Sequence, residues 1–202
     1  MTDPEPGLAA RVEEYRLDHE LVEARLAGTI EPDAEDTLAD QVSRLLPFHA
    51  ILPNRQAGDL SRLTAHLGGD QALLEWLARR PGRPRLVAHL YRLIWLLDEH
   101  SADPAVVSAL TEIMTEHEPI PRIVGEHLTP DMNDASLAGL AWAIEAMIGD
   151  DRLNTAVRLA IGAAELLERV ARRARRADPS FGALADEVAR LKSDITEAHG
   201  QL

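Results

Sequence analysis

The chain has 202 residues and a formal net charge of −13, and it contains no cysteine. The absence of cysteine excludes disulfide bonds, thiolate metal sites and cysteine nucleophiles. The negative charge opposes binding to nucleic acid or to an anionic membrane, because long-range repulsion slows the approach to a polyanion. Lysine occurs only at Lys192 and arginine supplies the other basic residues. This bias is typical of a GC-rich bacterial genome such as that of an actinobacterium.

Targeting and membrane segments are not recognisable in the sequence. No run of about 18 apolar residues occurs, and the N-terminal MTDPEPGLAARVEEY is acidic, where a signal peptide would begin basic and continue apolar. We therefore expect a soluble cytoplasmic protein. The length suits one all-helical domain over residues 1–202, with a bundle over 1–148 and a C-terminal helical hairpin over 149–202 as the alternative subdivision.

Apolar residues recur with helical spacing almost throughout the chain, and no segment alternates as a strand would, which predicts an all-α fold. A single apolar stripe from Leu8 to Leu26 predicts one first helix that ends at Gly28. A second helix covers residues 33–46. The segment PFHAILPNRQAGD, residues 47–59, is predicted to be irregular because it contains two prolines.

Eight further helices are predicted downstream of this segment. They cover about residues 59–67, 70–80, 84–100, 104–118, 121–128, 134–149, 151–177 and 178–200. The helix over 84–100 is apolar nearly all round and is expected to be the most buried. The whole predicts a compact bundle of about nine or ten helices with a long C-terminal helical pair, and helical faces through which a homo- or hetero-oligomer could form.

The motifs of metal and cofactor sites are missing from the sequence. Neither Glu-x-x-His nor His-Glu-x-x-His occurs, and no glycine-rich phosphate loop occurs. Three Glu-His pairs end at His100, His117 and His127, but adjacent residues point about 100° apart around a helix and cannot chelate together. Each histidine closes a predicted helix, where the helix dipole favours a cation. We expect no metal and no cofactor.

Candidate residues for binding a small anionic molecule lie in two places. Asn54 and Arg55 follow Pro53 in a segment typical of a pocket-lining loop. An arginine cluster from Arg79 to Arg92, which includes Arg85 and adjoins Tyr91, enters the most buried helix. Guanidinium groups there could converge on a phosphate or carboxylate. The alternative is that the cluster pairs with residues 1–40, where twelve acidic residues stand against three arginines.

Four residues are candidates for proton transfer. Glu145 is ionisable within an apolar helix, where burial would raise its pKa and suit it to acid–base catalysis. His49 lies beside the proline-bounded segment, Asp98 lies on the most buried helix, and His117 lies on the apolar side of a helix end. Structural alternatives stand beside two of them: a buried pair with an arginine such as Arg92 or Arg158 for Glu145, and capping or hydrogen bonding for His49.

These residues support two hypotheses of different class. The first is a small bacterial enzyme of specialised metabolism, which holds a polar anionic metabolite on arginine and uses a histidine or carboxylate for proton transfer, as a lyase, cyclase or transferase does. The second is a non-catalytic helical partner or adaptor subunit that binds another protein. The lack of a complete catalytic motif favours the second, whereas polar residues in apolar surroundings favour the first.

Overall fold

The structure is a computed structural model that describes residues 7–128 and 137–202, and these residues form helices and loops without a strand. The predicted all-α class is confirmed. The α-helices are α1 (Leu8–Glu14), α2 (His19–Ala27), α3 (Pro32–Leu45), α4 (Asn54–Leu67), α5 (Asp70–Ala78), α6 (Arg83–Glu99), α7 (Pro104–Thr115), α8 (Arg122–Gly125), α9 (Leu137–Gly149), α10 (Leu153–Ala174) and α11 (Phe181–His199), and Leu46–Ile51 forms a 3₁₀ helix. The described part thus holds eleven α-helices where nine or ten were predicted. None of them is long and apolar enough to cross a membrane.

The chain divides into two compact units, residues 1–88 and residues 89–202. The boundary lies inside α6, which leaves the first unit and enters the second. This boundary differs from the subdivision at residue 148 that the sequence offered as an alternative. The predicted start of the eighth helix, before residue 137, lies outside the described residues.

The prediction of one continuous first helix is wrong, because the backbone is not helical between Glu14 and His19. Asp18 is extended and its carboxylate accepts a hydrogen bond from the backbone N–H of Glu20 at 2.9 Å, so it is the N-cap of α2. The N–H of Asp18 in turn donates to the side chain of Gln41 at 2.8 Å. One continuous apolar stripe therefore belongs to two helices, and an N-cap aspartate separates them.

The prediction of an irregular segment is wrong for the second half of that segment. Pro53 is extended and immediately precedes α4, which begins at Asn54 and not near residue 59. Proline is tolerated at a helix start because the N–H that it lacks has no partner there. The earlier start places Arg55, Asp59 and Arg62 at i, i+4 and i+7 of one helix face.

A carboxylate in the first unit connects three helices. Glu35 of α3 accepts a hydrogen bond from Trp76 Nε1 at 3.0 Å and lies 3.0 Å from both Arg25 of α2 and Arg80, which follows α5. Burial alone would raise the pKa of Glu35, but the Trp76 hydrogen bond and the two guanidinium groups hold it below its usual value. Arg80 also lies 3.3 Å from Asp36 and packs over the ring of Trp76. Pairing between the arginine cluster and the acidic N-terminal third is thus found at Arg80.

The second unit is organised around α10, which packs against α7, α8, α9 and α11. The predicted long C-terminal pair is confirmed as α10 and α11. Gly162 of α10 permits a close approach to α8, since a Cβ at this position would lie 2.7 Å from a methyl group of Val124. Arg169 and Arg173 of α10 both bind Glu118, in the segment that follows α7.

We expect Glu35→Gln to lower the free energy of unfolding of the first unit by about 1.5–3 kcal/mol, the range for hydrogen bonds to charged groups. Trp76 emission is the readout, in a background where Trp95 and Trp142 are phenylalanine. Because the pKa of Glu35 is lowered on folding, its contribution is present near neutral pH and disappears as the pH falls through the folded pKa. The variant should lack this acid-dependent component.

The matched control is Glu31→Gln, which removes the same charge from an exposed position at the start of α3. Equal unfolding midpoints for the two variants would contradict a structural role for Glu35.

Candidate functional site

A cleft of about 540 Å³ opens in the first unit where the chain leaves α1 and enters α2. It is lined by Arg16, Asp18, His19, Glu20, Gln41 and Arg55. The break between α1 and α2 supplies two of these residues, and the first turn of α2 supplies His19 and Glu20. Gln41 comes from α3, and Arg55 comes from the first turn of α4. The lining therefore combines two cations, two carboxylates, an amide and an imidazole within one small volume.

The histidine of this cleft is held by a buried carboxylate. Nδ1 of His19 lies 2.8 Å from Oδ2 of Asp59, and Asp59 is only 5% exposed. An ionised carboxylate can only accept, so in the neutral ring Nδ1 carries the proton and donates it to Asp59. The other ring nitrogen, Nε2, lies 3.8 Å from the nearest oxygen of Glu23, beyond hydrogen-bonding distance. Nε2 is therefore the ring atom with a lone pair to offer.

The contact of His19 with Asp59 is arranged as in a general acid–base group. A carboxylate that binds one imidazole nitrogen fixes the tautomer and the ring orientation, and it stabilises the imidazolium that forms when the other nitrogen accepts a proton. Serine and cysteine are not among the cleft-lining residues. The geometry thus suits proton transfer by His19.

A second polar pair lies beside the first along α2 and α4. Arg62 donates to Glu23 at 2.6 Å and lies 3.7 Å from the other oxygen of Asp59. The hydrogen bond from Arg62 lowers the pKa of Glu23, and the same bond raises the pKa of Arg62. Val22 is the buried residue of α2. Polar pairs therefore make up much of the contact between these two helices.

Ligand atoms of His19, Glu23 and Asp59 all lie within 4.8 Å of one another, a spacing from which three side chains can hold a metal ion. The sequence motifs for metal sites contain ligands from one helix. They do not include this group, because Asp59 comes from a different helix than the other two residues.

In the described part of the chain, the two arginines of the cleft do not form strong ion pairs. Arg55 makes no ion pair with a residue in the described ranges, and it is exposed. The nearest acidic partner of Arg16 is Glu13, at 4.0 Å, and both side chains are largely exposed. An exposed pair at this distance contributes little. Both guanidinium groups are thus available to an anion that enters the cleft.

The predicted binding residues of the first unit fall in different places. Arg55 lines the cleft just described, and Asn54 is the exposed first residue of α4. Arg85 lies half-buried on α6. His49 lines a second cleft of about 400 Å³, formed mainly by α4, and its Nδ1 lies 3.0 Å from the backbone oxygen of Leu46. The structure therefore brings neither His49 nor Arg85 to the first cleft.

In the second unit, two of the predicted residues meet. The hydroxyl of Tyr91 donates to Oε1 of Glu145 at 2.9 Å. Burial raises the pKa of the Tyr91 hydroxyl well above its usual value, and the Glu145 carboxylate adds to the effect. The Glu145 carboxylate is therefore bound by a buried tyrosine hydroxyl, which is a structural contact of the kind that the sequence offered as the alternative to catalysis.

Asp98 and His117, two other predicted residues of the second unit, both lie at exposed positions. Asp98 is exposed on α6, and Arg92 is half-buried on the same helix. His117 is exposed, follows the last turn of α7 and has a positive φ of 54°. His117 therefore occupies the left-handed backbone position that ends many helices, and this role is a structural explanation for the residue.

Sequence reasoning missed His19 and Asp59. The apolar stripe of the first predicted helix includes His19, and the helical pattern places Asp59 at the start of a short helix. One signal was present: Asp-His-Glu over residues 18–20 places an N-cap residue and an acidic first turn directly around the histidine.

Known proteins give no further guide to this site. No protein-family model matches the sequence, and no curated protein or solved structure is significantly similar to it.

Proposed function

We propose that the protein is a small cofactor-independent enzyme that transfers a proton on a polar anionic metabolite in the cleft between α1 and α2. His19 is the general base, Asp59 orients it, and Arg16 and Arg55 hold the anionic group. The observation that carries the proposal is the hydrogen bond from His19 Nδ1 to the buried carboxylate of Asp59 at the edge of a cleft that contains arginine. The proposal includes a bacterial, cytoplasmic setting, which composition suggests, and a role in specialised metabolism.

The lining of the cleft narrows the substrate class. Arg55 lies on the first turn of α4, where backbone N–H groups and the helix dipole also favour an anion. Asp18 and Glu20 lie on the same cleft and would attract an amine or accept a hydrogen bond from a hydroxyl. These charges favour a small metabolite that carries a carboxylate or phosphate together with an amine or hydroxyl group.

The proposal assigns one action to each group. The arginines fix the anionic end, so that the acidic C–H, N–H or O–H of the metabolite reaches Nε2 of His19. Nε2 accepts the proton, and the Asp59 carboxylate stabilises the resulting imidazolium through Nδ1–H. Elimination, ring closure and isomerisation all begin with this step.

We expect O-phosphoserine, malate or inorganic phosphate to bind this cleft, and Arg55→Gln to weaken the binding about tenfold, which corresponds to about 1.4 kcal/mol. Calorimetry measures the affinity, and amide NMR locates the site. For each bound metabolite, C–H exchange with deuterium in D₂O reports proton transfer directly. His19→Gln should abolish this exchange while binding persists.

Arg79→Gln is the matched control, because it removes the same charge from an exposed residue at the end of α5. The enzyme proposal fails if the Arg55 and Arg79 variants bind these anions equally well. It also fails if exchange continues in the His19 variant.

A second candidate function, that of a helical partner subunit, is favoured by one observation in the second unit. Trp142 is 72% exposed on α9, a helix whose other residues are mostly buried. Tryptophan is enriched at protein interfaces and is costly to leave in water. A partner or a second copy that covers this side chain would account for its position.

We expect light scattering after size exclusion to show self-association at high protein concentration, and Trp142→Gln to give a monomer, because the substitution removes the apolar side chain. Ile51→Gln changes an exposed apolar residue of the first unit and serves as the control. A monomeric mass for the unmodified protein at every concentration would exclude a homo-oligomer through Trp142.

A further inference from the structure

We propose that His19, Glu23 and Asp59 bind a divalent transition-metal ion such as Zn²⁺, and that this ion and a proton-accepting His19 exclude each other. His19 and Glu23 are one turn apart on α2, and Asp59 reaches them from α4. Their ligand atoms lie within 4.8 Å of one another. The proposal goes beyond the enzymatic function, because metal binding requires only the chemistry of these three side chains.

The distance between His19 and Asp59 leaves little rearrangement for an ion to impose on these two ligands. Nδ1 of His19 and Oδ2 of Asp59 are 2.8 Å apart, and neighbouring ligands of a tetrahedral zinc ion lie about 3.3 Å apart when each bond is 2.0–2.1 Å. The ion takes the place of the hydrogen shared by these two atoms. Glu23 then supplies the third protein ligand, and water from solvent completes the coordination.

The charge of the three residues also matches a divalent ion. Two carboxylates and a neutral imidazole carry a charge of −2, and imidazole with carboxylates is a ligand set that zinc accepts. Arg62 now neutralises part of this charge, through its contacts with Glu23 and Asp59. Its side chain is 51% exposed and can swing into solvent, and an ion pair as exposed as this one contributes little. A metal ion therefore competes with a guanidinium group that is free to leave.

The metal also changes which ring nitrogen carries the proton. A neutral imidazole has one N–H, which lies on Nδ1 while Asp59 accepts from it. When Nδ1 binds the ion, this proton moves to Nε2, so no proton is released and Nε2 can no longer accept one. Bound metal therefore stops proton transfer at His19, and this last consequence alone rests on the proposed function.

Titration of the full chain with ZnCl₂ by calorimetry tests the site. We expect one ion per chain, an affinity at least tenfold weaker in both His19→Gln and Glu23→Gln, and no change in His49→Gln, which alters the histidine of the other cleft. Arg62→Met should bind Zn²⁺ more tightly, because the competing cation is gone. Circular dichroism melting shows that each variant is folded.

The result that overturns the site is the absence of saturable Zn²⁺ binding, or binding that His19→Gln leaves unchanged. Tighter binding in Arg62→Met supports it, and weaker binding in a folded Arg62→Met contradicts the competition. Nitrogen-15 NMR should show the His19 proton move from Nδ1 to Nε2 when Zn²⁺ is added, and an unmoved proton contradicts the assigned ligand.

The two proposals fail separately. If Zn²⁺ binds as expected but no anion undergoes exchange, the metal site stands and the enzyme proposal falls. If exchange occurs and persists at saturating Zn²⁺, mutual exclusion falls and the enzyme proposal stands.

Discussion

The buried carboxylate of Asp59 is the constraint on which the candidate site depends. Asp59 is only 5% exposed and needs hydrogen-bond partners in the protein, because burial removes the water that would otherwise bind its carboxylate. His19 supplies the close hydrogen bond and Arg62 a more distant cation. Satisfying Asp59 therefore brings the start of α2 against α4, and in the same step orients the imidazole and leaves its second nitrogen available.

Polar contacts have a large part in holding α2 within the first unit. Only Val22 of α2 is buried, so the helix is held by its N-cap and by ion pairs to α3 and α4, among them the pair of Arg25 with Glu35. Contacts of this kind are directional and weaken with salt or acid more than apolar packing does. The same groups can be re-paired by an anion, a proton or a metal ion, which is why the proposed anion and metal sites both lie in this part of the chain.

The sequence predicted what depends on local periodicity and missed what depends on pairing between distant residues. Helical spacing was enough for the all-α class, for the long α10 and α11, and for the approximate bounds of most helices. The break after Glu14 was hidden, because the apolar stripe runs from Leu8 to Leu26 without interruption on both sides of it. Arg55 was selected from its loop-like context, and it lines the cleft although it lies on a helix. The pairing of His19 with Asp59 spans 40 residues and leaves no trace in spacing.

The most direct test of this account is the tautomer of the neutral His19 ring, read from its nitrogen-15 shifts in the metal-free protein. The account predicts the proton on Nδ1, and a mixture of tautomers in Asp59→Asn, because an amide can either accept from Nδ1 or donate to it. A proton on Nε2 in the unmodified protein, or identical shifts in Asp59→Asn, would contradict the claim that Asp59 holds His19 ready to accept a proton.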